Sequence, residues 1–149
     1  MSSFIKRVGT TYIPVVNPEK SSLWYQEMLG AIEKFRNIDK AILEFADQSF
    51  FLVKAKKGER SVFLDIYEQE HFTLTFEVNG IDQLIEFNNF LQTKGVRVGE
   101  IEDRGHPGNN FVFYDIDGNM FDVWSELSPT FKDRLDQNDL VMFEPAINL

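Results

Sequence analysis

A chain of 149 residues, 43% of them apolar, is long enough for one compact unit or for two small halves sharing a core. Its net charge of −9 argues against nucleic acid and anionic membrane as partners, and the lack of cysteine excludes disulfides, a thiol nucleophile and thiolate metal sites. Fifteen phenylalanines predict a strongly aromatic interior.

The N-terminal stretch MSSFIKRVGTTY has no apolar signal core, and no run is long enough to span a bilayer, so a cytoplasmic location is expected. Thr11–Val16 reads as a strand. Asn17 is a candidate helix N-cap, Pro18 suits the first helical position, and Gly30 closes the helix. Trp24, Tyr25, Met28 and Leu29 fall at i, i+4 spacing on one face. Ala41–Lys54, AILEFADQSFFLVK, is two apolar runs around a polar break, the pattern of two strands joined by a tight turn. Lys56–Arg60 is a charged turn. Ser61–Glu70 is too apolar for a plain linker and is expected to pack against the body or another subunit.

Leu74–Asn79 is another strand. Ile81, Leu84, Ile85, Asn88 and Leu91 make a helical stripe that Gly95 ends. Arg104–Asn110 holds two glycines and a proline and is a turn-rich loop. Phe111–Trp124, FVFYDIDGNMFDVW, repeats the strand–turn–strand pattern. Asp115 and Asp117, beside Gly118-Asn119, are expected to serve turn hydrogen bonds rather than acid/base chemistry. Ser128-Pro129 starts a short helix ending near Leu135, and the apolar Leu140–Phe143 is expected to dock onto something.

The second half repeats the first. Phe111–Trp124 lies over Ala41–Lys54 at an offset of 70, and the strand before each helix matches at an offset of 63. Each copy reads strand, helix, strand, strand, strand, so the fold expected is α+β with two superposable halves, Asp47 and Asp117 in equivalent turns.

Pro14-Val15-Val16-Asn17 through Leu29-Gly30, together with the Asp115-x-Asp117-Gly118-Asn119 turn inside Phe113–Trp124, resembles the glyoxalase/bleomycin-resistance/extradiol-dioxygenase superfamily, also called vicinal oxygen chelate. The resemblance covers about residues 7–126. It implies one domain over 1–149: two tandem βαβββ modules, about 7–56 and 70–126, forming a curled mixed β-sheet around a central cavity with the helices outside, and a C-terminal extension over 127–149. It also implies a homodimer, with the 61–70 and 140–143 segments near the interface. It says little about activity, because such folds carry many.

Strand alternation sorts the side chains. Ile13, Val15, Leu74, Phe76, Val78, Phe51, Val53, Phe121 and Val123 are uniformly apolar and are assigned to the face under the helices. Thr10, Tyr12, Pro14, Thr73, Thr75, Glu77, Phe50, Leu52, Lys54, Met120, Asp122 and Trp124 are mixed and are assigned to the cavity. The resemblance places Arg104 and His106 at the rim, where they could meet an anionic or hydrogen-bonding group. The expected ligand-binding set is therefore Tyr12, Phe50, Thr73, Thr75, Glu77, Arg104, His106, Asp122 and Trp124. Glu77 is expected to be protonated or hydrogen-bonded to Tyr12 or Thr75.

The four metal-ligand positions of catalytic relatives, carried over, fall on Thr10, Leu52, Thr73 and Asp122, of which Asp122 alone is an ionisable ligand. No cofactor is expected. The alternative is a divalent ion held by His71, Glu77 and Asp122. No catalytic residue can be named. Three readings follow: a metal-free member that binds a small, partly aromatic or apolar organic molecule to sequester or sense it; a metal-dependent lyase or isomerase of the glyoxalase type; and an interaction protein whose cavity is filled by its own aromatics.

Overall fold

The computed structural model describes residues 3–137. The first module runs β1 (Thr10–Val15), α1 (Pro18–Leu29), β2 (Ile32–Arg36), β3 (Lys40–Phe45) and β4 (Gln48–Lys54). A short hairpin follows, β5 (Phe63–Leu64) and β6 (Glu70–His71). The second module holds β7 (Thr75–Glu77), α2 (Ile81–Thr93), β8 (Asn110–Tyr114) and β9 (Met120–Trp124). Residues 129–137 are helical.

Helix α1 starts where the sequence places it. The Asn17 side chain accepts from the Lys20 backbone N–H at 3.1 Å, Pro18 opens the helix, and Gly30 ends it at φ 70°, where a side chain would be strained. Tyr25 is the buried centre of its inner face. In α2, Leu84, Asn88 and Leu91 are buried, while Ile81 and Ile85 stay partly in water.

The first sheet has the order β1-β4-β3-β2, with β1 and β4 parallel. The second has the order β7-β9-β8, with β7 and β9 parallel. Val98 bridges Phe113 and Glu102 bridges Asn110, so the 98–102 segment lies beside β8 as β2 lies beside β3. The duplication is thus visible strand by strand, and both sheets are open rather than closed into a barrel. Their inner faces meet in one cluster: Ile13, Leu43, Phe50 and Leu52 from the first module with Phe111, Phe113, Phe121 and Val123 from the second. Phe76 joins them, its ring 5.7 Å from Phe45, 6.0 Å from Phe50 and 5.4 Å from Phe121. Such aromatic pairs add about 0.5–1.5 kcal/mol each beyond the area they bury.

The β8–β9 turn clamps the modules together. Asp117 accepts from Val16 N and Ser21 Oγ, Asn119 donates to Pro14 O, and Arg60 Nε donates to Gly118 O. Asp115 accepts from the backbone N–H groups of Asp117 and Asn119 and from the Tyr25 hydroxyl. The two aspartates are turn residues, as the sequence suggests.

One expectation is corrected in β4. Paired residues project from the same face, and the pairing sets Tyr12 beside Phe51 and Ile13 beside Leu52. Phe50 and Leu52 therefore point into the core, at 1% and 0% exposure, and Phe51 and Val53 face outward. The cause is turn length. The first hairpin turns on two residues, Ala46 and Asp47, between paired Phe45 and Gln48; the second turns on five between paired Tyr114 and Met120. Measured from Glu44↔Ser49 and Tyr114↔Met120, the second turn is one residue longer. The offset is 70 before the turn and 71 after it, and a slip of one residue exchanges the faces of a strand. Asp47 and Asp117 sit in corresponding hairpins, but not in turns of the same type.

The 61–70 segment meets the body at its start, where Ser61 N donates to Asn119 Oδ1 at 2.7 Å, but its apolar tip does not pack there. Ile66 and Tyr67, at its tip, are 89% and 81% exposed. The 140–143 segment lies outside the described residues.

Candidate functional site

A cleft of about 750 Å³ opens on the face of the second sheet turned away from the core. Strand alternation builds its floor: Thr75 and Glu77 from β7, Asn110 from β8, Asp122 and Trp124 from β9. Phe72, Pro107, Leu127 and Pro129 make apolar walls, and Arg104, His106, Glu126 and Lys132 complete the lining.

Asp122 is the buried centre of the floor, 2% exposed. Its Oδ2 accepts from Thr75 Oγ1 and Asn110 Nδ2, both at 2.9 Å. Arg104 Nη1 lies 3.1 Å from Oδ1, out of line for a hydrogen bond, so this contact is an ion pair. Burying the carboxylate without such compensation would be costly. Arg104 is itself shared, its Nε donating to Glu102 at 2.8 Å, and it lies 5.4 Å from the centre of the Phe72 ring.

The rim is the 104–109 loop. Trp124 Nε1 donates to Pro107 O at 2.9 Å, Asn109 N donates to Ser125 Oγ at 2.8 Å, and the His106 ring stands edge-on to Trp124 at 6.0 Å. Gly108 sits at φ 76°, and a Cβ there would lie 2.7 Å from atoms of Trp124, Ser125 and Glu126. Only glycine lets this loop lie so close to β9.

Of the nine expected ligand-binding residues, Thr75, Glu77, Arg104, His106, Asp122 and Trp124 line this cleft, and Tyr12, Phe50 and Thr73 do not. Tyr12 is 64% exposed on the outer face of the first sheet, its ring 5.3 Å from Phe51. Phe50 is in the core, stacked on Phe45 at 4.3 Å. Thr73 is exposed and shares a hydrogen bond with Ser61. The cleft is built by one module and the C-terminal segment, not by both modules facing each other. Glu77 bonds neither Tyr12 nor Thr75. Its carboxylate takes the Ser128 backbone N–H at 2.9 Å and the Ser128 hydroxyl, and so holds the start of the 129–137 helix. Sequence reasoning missed Asn110, Phe72, Leu127 and Pro129. Asn110 is the first residue of β8, and its parity with Val112 and Tyr114 was the available signal.

Among the described residues, no three His, Asp or Glu side chains are placed so that they could hold a metal ion. His71 is not in the cleft lining; its Nδ1 meets Phe72 O at 2.7 Å and its ring stacks on Phe63 at 5.0 Å. With the offset of 71, the first-module position matching Asp122 is Phe51 rather than Leu52, and neither side chain is a metal ligand.

Two open βαβββ modules in tandem are the fold of the glyoxalase, fosfomycin-resistance and vicinal oxygen chelate proteins, and the chain has that fold. Among solved structures, it is similar to the fosfomycin resistance protein FosX from Listeria monocytogenes, with a TM-score of 0.68 and 16% identity over 83% of this chain and 96% of that one. Lactoylglutathione lyase from Agrobacterium tumefaciens gives 0.64 and 10% over 82% and 95%. An integron cassette protein from the mobile metagenome of a Halifax Harbour sewage outfall gives 0.63 and 22% over 82% and 100%. No family model matches the sequence, and none of the curated proteins matches it.

Proposed function

We propose that the chain binds a small, partly aromatic organic molecule in the cleft of its second module, without a metal ion, to sequester or sense it. The observation that carries this reading is the cleft itself. Its volume of about 750 Å³ falls within the range of small-molecule sites. Its walls are Phe72, Pro107, Leu127 and Pro129, Trp124 adds an aromatic face to the floor, and Thr75, Asn110 and Arg104 meet at Asp122. This division between apolar walls and a polar floor suits a flat ligand with one polar end.

The test is a fluorescence screen on Trp124, with Trp24→Phe removing the other reporter. Flat aryl compounds should shift or quench the emission. If no compound class alters it, and aqueous quenchers reach Trp124 as freely as they reach a free indole, the cleft is not a binding site.

We also propose a homodimer. Phe63, Leu64, Ile66 and Tyr67 are all exposed on the β5–β6 hairpin, an apolar patch that a second copy would cover. Sedimentation equilibrium measures it, and a Tyr67→Glu variant should shift the mass toward the monomer.

A further inference from the structure

Asn110 is held on every side but one. Its backbone exchanges hydrogen bonds with Glu102 at 2.7 and 3.0 Å, and its Nδ2 donates to Asp122 Oδ2. Turning the amide end for end would set its oxygen against a carboxylate, which has no proton to give, so the orientation is fixed. The Asn110 side-chain oxygen is thus left facing away from Asp122. The residue is 3% exposed, it lines the cleft, and no donor among the described residues reaches that oxygen. Asp122 Oδ1 likewise has no hydrogen bond, its one partner among the described residues being the misaligned Arg104.

Two residues of the cleft floor, Asn110 and Asp122, therefore each carry a buried acceptor without a hydrogen bond among the described residues. Arg104 does not turn it into an anion site, because its charge already lies between Glu102 and Asp122. An incoming carboxylate would also meet Asp122, Glu77 and Glu126 in the lining, against Arg104 and Lys132. Neither oxygen has a hydrogen bond among the described residues, so a ligand with N–H groups would supply a partner that a ligand without a donor does not.

We propose that the cleft floor selects flat aromatic ligands that present an N–H donor at their buried end, a carboxamide or amidine rather than a carboxylate or an aryl ketone, with Asn110 as the residue that sets this preference. The inference rests on the cleft being the small-molecule site, and it adds the polarity of the ligand.

A matched series separates the two claims: 2-naphthamide, 2-naphthamidine, 2-naphthoate and 2-acetonaphthone share one ring system and differ at the polar end. Binding is read from the indole N–H resonance of Trp124 in Trp24→Phe protein. The amide and amidine should bind about tenfold tighter than the ketone and the carboxylate, the ratio equivalent to 1.4 kcal/mol. Asn110→Ala should narrow that gap. Equal binding across the series, or tighter binding of the carboxylate, overturns the donor preference and leaves the cleft reading standing. Failure of every member to move the Trp124 resonance overturns both. The wild-type series alone decides the preference if Asn110→Ala does not fold. If the variant folds and keeps the preference, Asn110 is not its source.

Discussion

Tyr25 and Asp115, ninety residues apart in the chain, are joined by a 2.5 Å hydrogen bond inside the protein, tying α1 of the first module to the β8–β9 turn of the second. Tyr25 is fully buried, and Asp115 is 6% exposed. Burial, then the charge of Asp115, holds the Tyr25 hydroxyl well above its ordinary range. Burial also raises the carboxyl of Asp115, and its hydrogen bonds from Tyr25 and Asn119 offset this in part.

The first prediction concerns this pair. Tyr25→Phe leaves a buried carboxylate short of one donor and should lower stability at neutral pH by about 1–3 kcal/mol, read from the urea midpoint. The alkaline limb gives a second readout. A raised folded-state value means that the contribution of Tyr25 is fully present below the unfolded value of about 10 and is lost as pH rises beyond it, at about 1.4 kcal/mol per pH unit. Wild type should show that loss, and Tyr25→Phe should lack this component. Asp115 has the same sign in an acidic window. Its contribution is present below the ordinary carboxylate value and is lost as pH rises through its raised one.

The second prediction concerns metal. Purified protein should carry no stoichiometric divalent ion by elemental analysis. Nickel, zinc or manganese should not raise the melting temperature, since a ligand that binds only the native state must stabilise it. A rise of several degrees at micromolar metal, abolished by His71→Ala, would overturn this and favour the lyase or isomerase reading.

The third concerns the rim. Gly108→Ala puts a side chain into left-handed backbone and into the edge of Trp124. The backbone term alone should cost about 1–2 kcal/mol. The Trp124–Pro107 hydrogen bond should be lost, and aryl probes should bind less tightly than to wild type. If binding and melting temperature are both unchanged, the loop is not fixed by this contact.

Much of this architecture can be read directly from the chain. Asn17, Pro18 and Gly30 bound α1 because capping is local chemistry. The parity of Thr75, Glu77, Asp122 and Trp124 holds because β7 and β9 are short and regular, and it builds most of the cleft floor. The misassignment of Phe50 and Leu52 comes from a turn whose length the letters do not reveal: Ala46 is an unusual residue for left-handed backbone, so the polar Asp-Gln-Ser looks like the better break. The position of Tyr12 outside the cleft was also hidden, because alternation gives the face of a strand but not what that face meets. Asn110 went unnoticed for a different reason. It closes a polar loop and reads as loop rather than strand, so its parity with Val112 and Tyr114, which sets its side chain on the cleft face, was passed over.

The last prediction follows from that first turn. Ala46 and Asp47 both have positive φ, 51° and 61°, the backbone of a two-residue hairpin turn that asparagine and glycine favour. Asp47 tolerates this conformation and also pairs with Arg134 at 2.6 Å, so it has a second reason to be there. Ala46 has no such ion pair: the residue is exposed, and left-handed backbone strains its side chain. Ala46→Asn should therefore stabilise the protein by about 0.5–1 kcal/mol, because asparagine enters left-handed backbone at lower cost. The substitution should leave aryl binding at Trp124 unchanged, since Ala46 does not line the cleft. The opposite change, Ala46→Val, sets a β-branched residue where φ is positive and should destabilise by more than asparagine stabilises. Thermal melts of the three proteins in one buffer order them. If valine melts at or above the wild-type temperature, the turn does not have this conformation, and the one-residue difference between the hairpins must lie elsewhere.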